Sequence, residues 1–423
     1  MSSRTRRPTR YNDDTLVVGI DIAKDRQVAV AEGPKGITTK PLTFNNDQKG
    51  FEQFSSWLIK TMSRFGTTAV VIGMEPTGHY WKPLGEWLQG QGYELRFVST
   101  VLTKRAKDML DGSPLKTDAK DAAVIADLVR QGKSRPQSPH QEIYQELRYL
   151  AELRQRLVIE RSALLNRLHR LLDLLFPELP KLFSCLDLTA VFTLLQTAPT
   201  PQDVMTLGLD ALTNLLQRAS RKRLGQDRAQ AILDAAFNSI GCRNGQQALQ
   251  LELTLLLPRI GELTKQRKQV ETQMAEALQK IDYAKGLLSI PSIGIVTAAI
   301  VLGELGDLRL YSNARQVLKM AGLNLFERSS GHHQGQRHIT KRGRTQLRQV
   351  LYMATIRLVA PGQPLHELKQ KMTPSKPGPK IIVAGMRRLL RTMFAITRDQ
   401  HAFDPQRFAV RPAMLAQPTG LAA

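Results

Sequence analysis

Four acidic residues carry the first chemical signal in this chain: Asp21, Glu75, Asp118 and Asp121. Asp21 closes the apolar run Val17-Val18-Gly19-Ile20, and Glu75 closes Ala69-Val70-Val71-Ile72-Gly73-Met74. Each reads as a carboxylate delivered to the edge of a buried strand. Asp118 and Asp121 stand three apart in Thr117-Asp118-Ala119-Lys120-Asp121-Ala122, which puts both on one face of the first turns of a helix capped by Thr117 or Asp118. Two like charges there repel; the helix dipole relieves part of that cost, and a divalent cation would relieve more. Two strand-end carboxylates and a helical pair are the ingredients of a two-metal site. Its oxygen ligands suit Mg²⁺, with Mn²⁺ as a substitute, and its chemistry is attack on a phosphodiester. Asp127 is off that register and reads as a surface residue; His79 reads as a packing neighbour of Tyr80.

A second chemical stretch runs from Glu327 to Arg344. His332, His333 and His338 suggest a metal, but no cysteine accompanies them and arginines flank them, so zinc is not expected. With Arg328, Arg337, Lys341, Arg342 and Arg344, the loop reads as a surface that grips phosphates, arginine being suited to bidentate contacts. Ser330, before Gly331, is a hydroxyl in that electropositive setting. Upstream, Ile290-Pro291-Ser292-Ile293-Gly294 joins two short helices in the manner of a helix-hairpin-helix, whose turn at Gly294 offers backbone N–H groups to a phosphate.

The elements that position these residues follow from periodicity. Strands are predicted near 15–22, 27–32 and 40–44, a helix at 49–63, strands ending at Glu75 and near 94–99, a basic stretch at 104–107, and a helix opening at 117–118. Three strands followed by alternating helices and strands suit an α/β domain of the ribonuclease H type, and no P-loop or Gly-x-Gly-x-x-Gly is present. A long amphipathic helix is expected over 141–175. A second is expected over 260–281, with a companion apolar run upstream at 249–257; together they would form an antiparallel coiled-coil arm, a dimerisation element or two bundle helices. The expected division is a basic tail 1–14, a catalytic domain 15–139, a helical region 140–284, a mostly helical domain 285–360 and a basic extension 361–423. Sixty Lys+Arg against 37 Asp+Glu give a formal charge of +23, which favours a polyanionic partner, nucleic acid first. No apolar run reaches transmembrane length, and Cys185 and Cys242 lack metal-ligand spacing, so a cytoplasmic protein with structural thiols and no membrane partner is expected.

Gly19-Ile20-Asp21-Ile22-Ala23-Lys24, Met74-Glu75-Pro76-Thr77-Gly78, Lys116–Ala122, the 290–294 turn and Ser329-Ser330-Gly331 with Thr340-Lys341-Arg342-Gly343 together resemble the DEDD transposases of bacterial insertion sequences. The resemblance implies a RuvC-like amino-terminal domain and a separate carboxy-terminal transposase module. It implies that Asp21, Glu75, Asp118 and Asp121 bind Mg²⁺ and that Ser330 is a nucleophile forming a phosphoserine link, with Ser329 beside it as the neighbouring alternative. It also implies donor and target DNA, a structured non-coding guide RNA, and dimers that assemble to a tetramer with a composite centre. Pro76 and Ser292 depart from the family pattern, where alanine and glycine are more usual. The competing enzyme reading is a Holliday-junction or structure-specific endonuclease using the carboxylates alone; the non-enzymatic reading is an architectural nucleic-acid-binding protein.

Overall fold

Alternation along two strands organises the amino-terminal part of the chain. The computed structural model describes residue 11 and residues 14–110, 117–136, 142–327 and 338–408, and it divides into two units, 1–139 and 140–423. The first contains β1 (Thr15–Asp21), β2 (Arg26–Glu32), β3 (Leu42–Asn45), α1 (Gln48–Phe65), β4 (Ala69–Met74), α2 (Trp81–Gly90), β5 (Glu94–Phe97), α3 (Thr100–Leu110), α4 (Asp118–Arg130) and β6 (Arg135–Pro136). The sheet order is β3-β2-β1-β4-β5-β6. β2 is antiparallel to β1 and β3, while β1, β4 and β5 run parallel. That is a ribonuclease H-like sheet, as the order of predicted elements indicated.

Because side chains alternate across a strand, Leu16, Val18 and Ile20 of β1 and Ile72 and Met74 of β4 pack in one core with Phe51, Phe54, Leu58, Leu84 and Leu88 of α1 and α2. Val17 and Val71 face the other way, into a core with Val124, Ile125, Leu128 and Val129 of α4. Gly19 and Gly73 lie on that second face and let α4 come close. A Cβ on Gly19 would stand 2.0 Å from the Ala122 carbonyl oxygen and 2.5 Å from the Ala126 nitrogen; on Gly73 it would meet a Val129 methyl at 2.4 Å. At its far end α4 is anchored by Arg130, which donates to the carbonyls of Thr15, Glu32 and Gly33 and pairs with the Glu32 carboxylate at 2.6 Å. The 104–107 stretch, read only as basic, lies in α3, where Leu102 and Ala106 pack on the α4 core.

Among its described residues the second unit is helical apart from one small pair of strands: α5 (Glu142–Leu175), α6 (Thr189–Thr197), α7 (Pro201–Ser220), α8 (Gln226–Phe237), α9 (Gln246–Gln279), α10 (Ala284–Leu288), α11 (Ile295–Leu305), α12 (Ala314–Met320), β7 (Leu325–Phe326), β8 (His338–Ile339), α13 (Thr345–Leu358), α14 (His366–Met372), α15 (Gly378–Asp399) and α16 (Pro405–Phe408). The pairings Arg170–Glu252, Arg161–Thr264 and Arg154–Glu271 run in opposite sequence directions, so α5 and α9 are antiparallel. One correction concerns α9: the helix expected from 260 begins at Gln246, takes in the apolar run at 249–257 and runs through Pro258. An interior proline costs about 3 kcal/mol. Burial of Leu253, Leu256, Leu257 and Ile260 in a single core with α5 offsets that cost.

A second core joins the opposite end of the pair, from Tyr144, Leu147 and Met274, to buried residues of α10–α13, α15 and α16, so segments 285–360 and 361–408 pack on the same apolar centre. Inside it Tyr144 and Tyr283 share a hydroxyl hydrogen bond of 2.9 Å, and Tyr283 donates to Asp307 at 3.3 Å. Cys185 and Cys242 are exposed free thiols. Among the described residues no helix is long and apolar enough to cross a membrane.

The closeness of Gly19 to α4 yields a prediction. The added methyl of Gly19→Ala meets main chain, which cannot swing aside. The variant is expected to lose at least about 1–3 kcal/mol, the usual cost of overpacking, measured by urea unfolding; wild-type stability would remove Gly19 as the seat of the helix.

Candidate active site

The strand register brings the first two acids together. Ile20 of β1 is paired with Met74 of the parallel β4, so the next residues, Asp21 and Glu75, leave adjacent strands side by side at their carboxyl ends. Alternation puts both on the face occupied by α4. That helix begins at the same edge: Thr117 caps it, its hydroxyl accepting from the Lys120 N–H at 3.3 Å, and Asp118 and Asp121 lie in the first turn. Asp121 is buried and Asp118 exposed, while Asp21 and Glu75 are half-buried. The helix N-terminus favours the two helical carboxylates electrostatically.

Two polar side chains hold the loops that follow the acids. Gln27, fully buried in β2, donates its amide to the Ala23 carbonyl at 2.8 Å and accepts from the Ala23 N–H at 3.0 Å, which fixes the chain two residues beyond Asp21. Asn46 donates to the carbonyls of Lys24 at 3.2 Å and Tyr80 at 3.4 Å, tying the loop after Asp21 to the turn after Glu75. Sequence reasoning passed over both. The signal available for Gln27 was a polar residue within an apolar strand.

The acids act on one another. Burial first, then the charges of Asp121 and Asp118, push the Asp21 carboxyl up to about 6; Lys107 pulls it down, and Glu75 adds a smaller upward push. Lys107 reaches Asp121 with Nζ 2.5 Å from Oδ2. Even so, among the described residues no three His, Cys, Asp or Glu side chains are gathered closely enough to hold a metal ion. The two facts are compatible, because Coulomb repulsion extends well beyond the ~2 Å reach of a coordinate bond. The donor set is entirely oxygen and carries an excess of negative charge, which fits a hard divalent cation in chemistry though the side chains are not drawn together. Asp127 is exposed and takes the Gln131 amide; His79 is exposed against the Tyr80 ring.

In the second unit, Arg328, Ser330, Ser329 and Arg337 lie outside the described residues. The ends of their loop are brought together by β7 and β8, paired Leu325 with Ile339 and Phe326 with His338. Lys341 and Arg342 are exposed just beyond it, whereas Arg344 is half-buried and faces Glu304 at 3.4 Å. In the 289–294 turn the left-handed residue is Ser292, φ +67°, where glycine is the easier residue. Gly294 caps α11 in an extended conformation, with open space where a Cβ would sit.

A ribonuclease H-like sheet with acids at the ends of its two central parallel strands and on the helix across them defines the class of phosphodiester-processing enzymes. The comparisons identify the family within it. A DEDD transposase model of the IS110 group matches residues 18–177, and the model for the transposase IS116/IS110/IS902 family matches residues 284–370. The chain belongs to this family of insertion-sequence transposases. It is 27% identical to a 44.8 kDa protein of insertion element IS116 from Streptomyces clavuligerus, over 93% of this chain and 97% of the relative. It is 28% identical to a 43.6 kDa protein of IS110 from Streptomyces coelicolor, over 70% and 73%. It is also similar, at 23% identity over 92% and 97%, to a pilin gene-inverting protein of Moraxella lacunata. Among solved structures, T. thermophilus RuvC bound to a Holliday junction aligns at a TM-score of 0.22 and 14% identity, over 29% of this chain and 99% of RuvC. The fold assignment rests on strand order and not on that superposition. The enzyme is thus a DNA transposase of the recombinase type, acting on DNA, and the family implies divalent-metal dependence.

The raised Asp21 pKa gives a signed prediction. Below about 4 the carboxyl is protonated folded and unfolded alike, and burial costs nothing. As pH rises through 6 the folded protein holds a repelled carboxylate, and that stability is lost. In metal-free buffer above pH 6, Asp21→Asn is expected to be more stable than wild type by about 1–2 kcal/mol, after discounting for partial exposure. The gain should shrink to nothing near pH 4. Thermal unfolding across pH tests this; a destabilised variant at pH 8 would contradict the repulsion.

Proposed function

We propose that this transposase cuts and exchanges DNA strands by a serine route, with Asp21, Glu75, Asp118 and Asp121 holding Mg²⁺ and Ser330 as the nucleophile, guided by a structured non-coding RNA. The observation that carries the metal reading is the register of β1 on β4, which sets Asp21 beside Glu75 on the face that receives the first turn of α4. When bound, Mg²⁺ would supply Lewis-acid stabilisation of charge developing on the phosphate oxygens.

The chain's own groups do the rest. The Ser330 oxygen attacks a DNA phosphorus; an O–P bond to serine forms, the bridging P–O bond breaks, and the departing deoxyribose oxygen takes up a proton. Attack by a hydroxyl of a second strand reverses these steps and restores the serine, so the phosphodiester energy is conserved across the exchange. Lys341 and Arg342, exposed at the foot of the serine loop, together with Arg328 and Arg337, are assigned to the backbone phosphates, and the N–H groups at the start of α11 to another. Arg344 contributes less freely because Glu304 already faces it. Rejoining as well as cutting is supported by the pilin gene-inverting relative, since inversion leaves no broken ends. In this reading two protomers of a dimer, paired into a tetramer, contribute carboxylates and serine to one composite centre.

The test is covalent trapping. Full-length protein is mixed with Mg²⁺, end-labelled donor and target DNA, and RNA transcribed from the element's flanks, then run on denaturing gels. The expected result is a protein–DNA adduct lost at least a hundredfold with Ser330→Ala, retained with Ser329→Ala, and lost with Asp21→Asn. Cleaved ends without an adduct, undiminished by either serine change, would replace the serine route with a carboxylate-only nuclease. An adduct that forms equally without RNA would remove the guide.

A further inference from the structure

The carboxylate site contains a cation of the chain's own. Lys107, on α3, sets Nζ 2.5 Å from Asp121 Oδ2; the Asp121 side chain is 6% exposed and that of Lys107 is 30%. The acid is therefore fixed by packing, and the ammonium reaches it on a flexible stem from the solvent side. Local structure gives Asp121 no need of this partner. Its helix is already capped by Thr117, and its place in the first turn already puts it at the positive end of the dipole. What the pair does answer is the surplus of negative charge that Asp21, Asp118 and Glu75 add at the same edge of the sheet. An ammonium and a divalent ion seek the same oxygen lone pairs, and an oxygen this close to Nζ is not open to a ligand bond of about 2.1 Å.

We propose that Lys107 is a resident counter-ion of the site: it neutralises Asp121 while no divalent cation is bound, and it must leave that oxygen for one to bind. The inference rests on the reading of the four acids as the metal site. It makes Lys107 a positioning residue that stabilises the metal-free protein and at the same time lowers its apparent metal affinity, since only the fraction of molecules with the lysine withdrawn is competent to bind. Lys104 and Arg105 on the same helix are exposed and supply charge to the surroundings without that contact.

Lys104 is the internal control. Mn²⁺ is titrated into the full chain without nucleic acid, and binding is read from the loss of the free-ion electron paramagnetic resonance signal. Lys107→Gln is expected to bind Mn²⁺ about tenfold more tightly than wild type, while Lys104→Gln, removing a more distant and screened charge, stays within about twofold. Lys107→Arg, whose guanidinium grips a carboxylate through two nitrogens, is expected to bind more weakly. In EDTA, Lys107→Gln should unfold at a lower temperature than wild type, and saturating Mn²⁺ should erase the difference. Equal shifts for Lys107→Gln and Lys104→Gln, or none for either, with Asp21→Asn still abolishing binding, would overturn the counter-ion while leaving the metal site standing. Mn²⁺ binding indifferent to Asp21→Asn would overturn the metal-site reading itself. If Lys107→Gln does not fold in EDTA, Lys107→Arg decides: unchanged or tighter binding refutes the proposal.

Discussion

The structure of the amino-terminal unit depends on one close approach, the main chain of α4 lying directly on β1 at Gly19. Acids at strand ends and acids in a helical turn belong to different elements, and nothing local brings them together. They meet because α4 rests on the face of the sheet that Asp21 and Glu75 share, at a distance that tolerates no side chain on Gly19 and little on Gly73. The other end of the helix is fastened by Arg130 to three carbonyls at the ends of β1 and β2. With the helix held at both ends, the first turn has no freedom to withdraw from the carboxylates it faces.

Holding it there works against electrostatics. Four acids at one edge repel, and burial together with that repulsion lifts the Asp21 carboxyl to about 6. Apolar packing keeps the acids in place: the core under α4 continues up to the turn that bears Asp121. Charge and packing oppose each other within a few ångströms, an arrangement that functional sites tolerate and purely structural ones rarely need.

The acids were legible in the sequence because an apolar run ending in one carboxylate is a strong pattern, and so is a pair three apart behind a capping threonine. The strand order was legible for the same reason. What escaped was whatever depends on residues distant in sequence. Lys107 looked like one of several charges in a basic stretch until α3 folded against α4. Asn46 drew no reading from the sequence, yet it links the loops after two different strands. The helix expected from 260 begins at Gln246 instead, and the core shared with α5 explains why it continues through Pro258. Arg344 looked like its basic neighbours, and Glu304, forty residues earlier, sets it apart.

The two-residue strands β7 and β8 have a consequence for how such a protein can change over time. Leu325 pairs with Ile339 and Phe326 with His338, and below them the Thr340 and Lys341 N–H groups donate to the carbonyls of Asn324 and Gly322. The chain leaves α12 and returns to α13 through one clasp, so the two ends of the segment between are held side by side. A change of length inside the clasp need not shift the register of any helix, provided that the serine assigned as nucleophile is kept. A lineage can therefore revise the part of the polypeptide assigned here to meet DNA while inheriting the scaffold beneath it intact.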